Sequence, residues 1–407
     1  MTTPMVWDTF RVSAKNSGPA KPAGRRRDMQ PGRRLKVSAK AFLETTREKF
    51  QTALATESGP HLVWFSLNDA CNLDCKYCFA DARFLSMDPD KPIVDYLGTA
   101  DVKQIIDNIV ESGTEQIMFA GGEPTLRRDL AEIVAYTSRH IPVAMNTNGY
   151  LLTEGLVREL AQAGLTQVKV SVDGLRDRHD WNRGPGSYDR AMEALRLCKA
   201  AGIPTVILIM TLSGVNYEDL PALLKQTLET GADFTVVEFL PIGKASGRRE
   251  WGLTRDQVRD FQRLLAQAQQ DYGWTRVAFE NRYIVSEDEY CQQVCLDPFR
   301  PCGFADFCVG CISGIYSYVI NARGRVAAGD IMTLECGDLR KESLASVWKN
   351  AELFKLLRDR ERLTGKCGAC RYRYICGGCR RRAYALTGEL MGGDPGCWVD
   401  PAECLVR

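Results

Sequence analysis

The stretch Cys71-Asn72-Leu73-Asp74-Cys75-Lys76-Tyr77-Cys78 places three cysteines within eight residues, directly after the apolar run His61-Leu-Val-Trp-Phe-Ser-Leu67. Such a run reads as a strand, so the cysteines fall on the loop leaving it and can converge on one centre. Soft thiolates select zinc, copper(I) or iron-sulfur clusters. Three of them can hold a cubic 4Fe-4S cluster by three of its irons, leaving the fourth to an outside ligand. A zinc site or a set of buried thiols is the plainer reading. A zinc finger, however, needs its fourth ligand in a small closed module, whereas this loop opens a long alternation of strands and helices.

The C-x3-C-x2-C spacing, with an aromatic before the last cysteine, resembles the cluster loop of the radical SAM superfamily. The resemblance implies that S-adenosylmethionine (SAM) chelates the unique iron and is cleaved reductively to a 5'-deoxyadenosyl radical. It implies Cys71, Cys75 and Cys78 as the ligands of the catalytic cluster, with Tyr77 beside the cofactor.

Working outward, the chain has 407 residues, 45% of them hydrophobic, and a net charge of only +2. It can bury a large core in more than one domain, and nothing in its charge calls for nucleic acid or an acidic membrane. The N-terminus lacks the basic head, apolar run and cleavage site of a secretory signal, and no segment approaches eighteen uninterrupted apolar residues. Sixteen cysteines therefore read as thiolate ligands in a reducing cytoplasm, not as a disulfide framework. Residues 1–40, with Arg25-Arg-Arg27 and Arg33-Arg34, read as a basic flexible arm, and 38–55 as a helix leading into the first strand.

Strands are expected at 62–67, 116–120, 142–147, 167–172, 204–210 and 233–240, with helices near 100–112 and from about 127, 153, 186, 217 and 254. Their β-branched, mostly apolar composition suits a buried parallel sheet. Six such units resemble the α/β fold of the superfamily, a partial (β/α)6 TIM-like barrel over 41–280, whose site lies at the carboxyl ends of the strands.

The strand ends carry candidates. Gly121-Gly122-Glu123-Pro124 follows the second strand and matches the family motif that grips the SAM amino group; alone it is an ordinary turn. Asn148, Ser171 and Asp173 end the third and fourth strands, where the family contacts ribose, with turn or cap roles as the alternative. Arg183 follows in a setting where relatives hold the methionyl carboxylate of SAM. His179 is read in the same loop, able to move a proton or simply to pack. Glu238 is read near the mouth or on an outward strand edge.

Beyond about residue 280 the alternation stops and cysteines crowd in: Cys291, Cys295, Cys302, Cys308 and Cys311, then Cys367-Gly-Ala-Cys370, Cys376-Gly-Gly-Cys379 and Cys397. Between them, Ile315-Tyr-Ser-Tyr-Val-Ile320 before Asn321-Ala-Arg-Gly324 marks a hairpin, and 343–360 a helix. C-x2-C-x5-C with a later cysteine can hold a closed cluster or, equally, zinc. It resembles the SPASM (twitch-like) auxiliary-cluster domain, here 281–407, which implies Cys367, Cys370, Cys376 and Cys397 as ligands. The first auxiliary cluster of that domain departs from pattern, because its hairpin cysteine position is Gly329. Cys311 and Cys379, the other nearby thiols, and the Asp330 carboxylate are the residues left to rebuild it.

These readings lead to an enzyme that abstracts hydrogen from an unactivated carbon, fed by a flavodoxin or ferredoxin-type reductant. Modification of a peptide or protein side chain is placed slightly ahead of tetrapyrrole side-chain chemistry, although the tail from Gly337 to Cys397 looks most like enzymes of alternative haem and haem d1 biosynthesis. Only some 60 residues precede the cluster loop, so a peptide substrate implies a separate leader-binding protein. The rival class is a non-catalytic zinc or iron-sulfur protein of binding or electron transfer.

Overall fold

Strands buried on both faces need helices on the return path, and the chain folds accordingly. The computed structural model describes residues 60–80, 82–84, 97–273, 276–279, 311–329, 334–370, 373 and 376–397. The basic arm, the expected helix over 38–55, Asp330 and the thiols Cys291, Cys295, Cys302 and Cys308 lie outside the described residues. In order come β1 (Leu62–Ser66), β2 (Ala70–Cys71), β3 (Arg83–Phe84), α1 (Thr99–Glu111), β4 (Gln116–Ala120) and α2 (Leu130–Thr137). Next are β5 (Val143–Thr147), α3 (Glu154–Gln162), β6 (Leu165–Ser171), α4 (Arg176–Arg183), α5 (Ser187–Ala200), β7 (Thr205–Leu212) and α6 (Leu220–Glu229). Then follow β8 (Asp233–Glu238), α7 (Arg255–Tyr272), β9 (Val277–Phe279), β10 (Ser317–Ile320), β11 (Arg325–Ala327) and β12 (Glu335–Asp338). Four helices complete the described chain: α8 (Leu344–Asn350), α9 (Glu352–Arg358), α10 (Gly365–Ala369) and α11 (Arg380–Thr387).

One ten-stranded sheet has the order β12-β11-β10-β1-β4-β5-β6-β7-β8-β9, and β2 and β3 form a small parallel pair beside it. From β1 through β4 to β9 every neighbour is parallel, the pattern of the expected barrel. Alternate residues of each strand face outward: Val63 and Phe65, Ile117 and Phe119, Val168 and Val170, Leu208 and Met210 are fully buried against α1, α2 and the later helices. Each such side chain contributes about 1.5–3 kcal/mol by leaving water.

The intervening residues face inward and behave differently. Toward the carboxyl ends, Trp64, Asn146, Ser171, Ile209, Thr211 and Val237 are partly exposed although their outward neighbours are buried. The sheet therefore wraps an open chamber at the end where the strand loops gather.

Three features differ from the sequence expectation. The segment carrying His179 and Arg183 is not a loop but the helix α4, ended by Gly184 at φ +116°. Its sequence Arg-Asp-Arg-His-Asp-Trp-Asn-Arg buries only His179 and Asn182, so no apolar stripe announced it; Asp177 in the first turn and Arg183 in the last suit the helix dipole. The hairpin β10–β11 forms as expected, but β10 also pairs in parallel with β1, Leu62 opposite Ser317 and Phe65 opposite Ile320, so the cysteine-rich third begins by widening the barrel sheet. The helix expected over 343–360 breaks at Ala351, which is extended, into α8 and α9.

Candidate active site

The cysteine loop is gripped by the strand ends around it. The Gly122 N–H donates to the Asn68 carbonyl (3.0 Å) and the Glu123 N–H to that of Ala70 (2.8 Å), tying the end of β4 to the residues entering Cys71. A Cβ on Gly122 would lie 2.0 Å from the Ala70 carbonyl oxygen, and one on Gly121 2.5 Å from that of Asn68. The paired glycines thus meet a backbone contact that sequence reading did not include. Glu123 turns inward. Its carboxylate accepts from the Thr125 N–H (3.1 Å), the Thr125 and Thr147 hydroxyls (2.6 and 2.7 Å) and the Asn148 N–H (2.8 Å), and it caps the one-turn helix begun by Pro124. Burial pushes its carboxyl upward against the pull of those donors.

Asn148 reaches the cysteines directly: its Nδ2 donates to Cys71 Sγ (3.7 Å) and to Asn72 Oδ1 (2.9 Å), while its Oδ1 accepts from the Tyr150 N–H (2.9 Å). Arg183 Nη1 lies 3.9 Å from Cys75 Sγ, and its Nε donates to Asp173. Asp173 is 0% exposed and also accepts from Asn182 Nδ2 (2.9 Å) and the Thr211 N–H (2.9 Å). This corrects the expectation of a carboxylate turned into the mouth: Asp173 holds Arg183, while Ser171 keeps its place on the chamber wall. Burial works against the charge of Asp173, but the Arg183 guanidinium holds it below the usual carboxylate range. His179 is buried behind, with Nδ1 accepting from the Asp173 N–H (3.1 Å), and burial, reinforced by Arg183, lowers it to about 4.

Tyr77 packs beneath the loop, edge-on to Phe239 (5.7 Å) and Trp251 (6.5 Å), with Asn216 Nδ2 3.4 Å from its hydroxyl. After β8, Gly243 (φ +60°) brings its Cα so close that a Cβ would lie 2.3 Å from the Cys78 carbonyl, which accepts from the Lys244 N–H (3.0 Å). Lys244 pairs with Asp74, and the Lys76 N–H donates to the Asn182 carbonyl (3.0 Å). Asn182, Asn216 and Lys244 were missed in the sequence, where isolated polar residues at strand and helix ends read as caps.

Cys71, Cys75 and Cys78 all carry free thiols in one packed group with Leu73 and Ala82. Burial, then the Glu123 carboxylate, pushes Cys71 up to about 12; burial pushes Cys75 up to about 11. Thiolates so placed need a cationic partner to exist at neutral pH, which is what iron provides. No three His, Cys, Asp or Glu side chains among the described residues are placed to hold a single metal ion. A polynuclear cluster takes one thiolate per iron, which suits three free thiols on one loop.

The C-terminal thiols are held differently. Cys367 Sγ accepts from the Asp394 N–H (3.3 Å) and Arg380 Nη2 (3.4 Å), Cys376 Sγ from the Gly378 N–H (3.4 Å) and Cys379 Sγ from the Arg382 N–H (3.4 Å). Cys370 closes α10, and the Cys397 carbonyl accepts from Lys366 of the same helix (3.1 Å). Cys311 stands near enough to Cys379 to oppose its ionisation, and its carbonyl accepts from Arg360 (3.2 Å). At Gly329, where the hairpin cysteine was expected, φ is +69° and a Cβ would lie 2.4 Å from Ser313 Oγ, so a side chain there does not fit. Glu238 is neither at the open mouth nor outward: it is buried against Arg382 (2.6 Å), which also pairs with Asp394 (2.6 Å).

Comparison with known proteins fits this geometry. The family profile described as Radical SAM superfamily matches residues 65–227, and the SPASM profile, an iron-sulfur cluster-binding domain, matches 311–371. An AdoMet-dependent heme synthase of Methanosarcina barkeri is 30% identical over 361 residues, 86% of this chain and 99% of that protein. The chain belongs to the radical SAM superfamily. This radical SAM enzyme also resembles the mycofactocin maturase MftC of Mycobacterium tuberculosis, at 27% identity over 86% of this chain and 85% of that one. Its fold is shared with SuiB of Streptococcus suis, solved with S-adenosylmethionine: TM-score 0.64, 18% identity, covering 89% of this chain and 84% of that one. As a radical SAM enzyme with a SPASM domain it uses 4Fe-4S clusters and SAM, and the reading as a non-catalytic binding protein falls. Among the described residues no helix is long and apolar enough to cross a membrane.

Proposed function

We propose that Cys71, Cys75 and Cys78 hold the SAM-binding 4Fe-4S cluster and that the substrate is a tetrapyrrole, altered on a side chain. The similarity to AdoMet-dependent heme synthases along nearly their whole length carries the substrate reading, and it reverses the order in which the sequence alone ranked peptide and tetrapyrrole. Cluster and SAM, when bound and reduced, supply a carbon radical able to take hydrogen from an unactivated carbon. The chain's own residues position and protect. Asn148 and Arg183 present N–H groups to Cys71 and Cys75, Asp173 and Asn182 keep Arg183 in place, and Gly121, Gly122 and Glu123 lock the loop. Ser171 and the chamber wall receive the nucleoside and the substrate away from bulk water.

Cys367, Cys370, Cys376 and Cys397 hold an auxiliary cluster, with Cys311 and Cys379 contributing to a second; a flavodoxin or ferredoxin-type protein delivers the electron. The test is anaerobic reconstitution with dithionite, SAM and an iron porphyrin, followed by chromatography for 5'-deoxyadenosine and mass spectrometry of the porphyrin. A porphyrin-dependent rise in 5'-deoxyadenosine with a mass change supports the reading. A rise elicited by a short peptide but by no porphyrin moves the substrate to the peptide class, where MftC and the PqqA peptide cyclase of Granulibacter bethesdensis lie.

A further inference from the structure

Between Cys376 and Cys379 stand two glycines that do more than turn the chain. Gly377 (φ +62°) and Gly378 (φ +66°) both take the left-handed backbone conformation. A Cβ on Gly377 would lie 1.9 Å from Arg360 Nη1, and one on Gly378 2.7 Å from both Arg380 Nη2 and Cys367 Sγ. The pair therefore leaves room, beside the thiols, for two guanidinium groups that side chains would push away.

Those groups are buried and their donors are only partly used. Arg360 is 5% exposed and Arg380 1%. Arg360 gives Nη2 to the Cys311 carbonyl (3.2 Å), while its Nε and Nη1 have no hydrogen-bond partner. Arg380 gives Nη1 to the carbonyls of Leu390 and Gly392 (2.9 and 2.7 Å) and Nη2 to Cys367 Sγ (3.4 Å), and its Nε has no partner. Asp394, which borders Gly378, has its carboxylate taken up by Arg382 and the Cys379 N–H. A guanidinium stays charged inside a protein, and burying it without a carboxylate is costly unless another anion stands beside it. Burial presses the Arg360 pKa down, and the thiols of Cys311, Cys376 and Cys367 pull against that.

We propose that Arg360, with Arg380, sets charged N–H groups against the sulfurs of the cluster held by Cys367, Cys370, Cys376 and Cys397 and raises its potential above that of the N-terminal cluster. A cubic cluster on four thiolates is an anion that gains one further negative charge on reduction, so a fixed cation beside it favours the reduced form. Near the N-terminal loop the cations Arg183 and Lys244 are already paired with Asp173 and Asp74, and no such bias arises. This assignment rests on reading Cys367 and Cys376 as cluster ligands. It adds the residues that fix the order in which the clusters take up electrons.

The test is a potentiometric titration of the full-length reconstituted enzyme with dithionite and mediators, read by electron paramagnetic resonance, with iron counted in every sample. In the wild type, the signal that disappears when Cys367→Ala and Cys376→Ala are combined is expected to form first on reduction. Arg360→Met is expected to keep its iron and to lower the reduced-to-oxidised ratio of that signal about ten-fold at the wild-type midpoint, a shift of about 59 mV for one electron. The signal that disappears in Cys71→Ala should not move. Arg360→Lys, which keeps the charge but not the fork, should fall between wild type and Arg360→Met. An unmoved midpoint in iron-replete Arg360→Met, or equal movement of both signals, overturns the assignment and leaves the ligand reading standing. Should Arg360→Met lose iron, Arg360→Lys decides, and an unmoved midpoint there overturns the assignment as well. Earlier reduction of the N-terminal cluster in the wild type overturns it with no variant needed. A full set of signals surviving Cys367→Ala with Cys376→Ala overturns the ligand reading, and the assignment with it.

Discussion

The two cysteine groups of this enzyme are built on opposite plans. Around Cys71, Cys75 and Cys78 the scaffold is the barrel itself: glycines after β4 and β8 press on the backbone of the loop and its approach, Asn148 after β5 donates to Cys71, and one arginine, Arg183, comes near a thiol with its charge already matched by Asp173. Around Cys367, Cys376 and Cys379 the scaffold is a set of turns packed on three buried arginines, Arg360, Arg380 and Arg382. The first arrangement leaves Cys75 and Cys78 partly exposed beside a buried Cys71. The second surrounds its sulfurs with N–H donors and positive charge, conditions that set a cluster's potential instead of exposing an iron to a ligand.

The contrast breaks or sharpens under four measurements. The largest effect is expected from Cys71, Cys75 and Cys78 replaced together by alanine: 5'-deoxyadenosine formation falls to background with loss of about four irons. Cys367→Ala with Cys376→Ala should lose a similar amount of iron yet leave SAM cleavage standing. Identical losses in both, by iron analysis and chromatography, would erase the distinction. Next, Arg382→Leu removes the buried guanidinium shared by Glu238 and Asp394 and should cost about 3–5 kcal/mol in anaerobic denaturation, whereas Lys103→Ala, which breaks the exposed pair with Glu132, should cost under about 1 kcal/mol. Gly122→Ala should cost about 3 kcal/mol by overpacking against Ala70 and deplete iron from the N-terminal loop alone.

The smallest effect concerns pH. His179 is held neutral to about pH 4, below its ordinary 6.5, so the unfolded chain binds its proton first. The stability this gives is fully present above about pH 6.5 and is lost as pH falls through 4, a change on the order of 3 kcal/mol. His179→Gln should flatten that part of the stability profile; an unchanged slope would show that His179 does not carry it.

The sequence was most readable where hydrophobic burial alone decides. The barrel strands fell within a few residues of their expected places because their outward residues are apolar without a break, and the three-cysteine spacing brought its thiols together. It was least readable where polar atoms do the packing. The helix α4 has no apolar face to betray it, and the partnership of Glu238 with Arg382 spans 144 residues that no periodicity connects. The role of Gly122 was hidden for another reason: a turn motif does not say which backbone it will touch.

The parallel pairing of β10 with β1 also constrains how the enzyme comes into being. Ser317 follows Ser66 by about 250 residues, on the order of ten to fifty seconds of ribosomal synthesis at 5–20 residues per second. Throughout that interval Leu-Val-Trp-Phe-Ser has an unpaired flank, and exposed apolar edges of this kind recruit other nascent chains. Production of this protein should therefore profit from slower initiation, lower temperature and chaperone supply, and a version ended before residue 311 should precipitate.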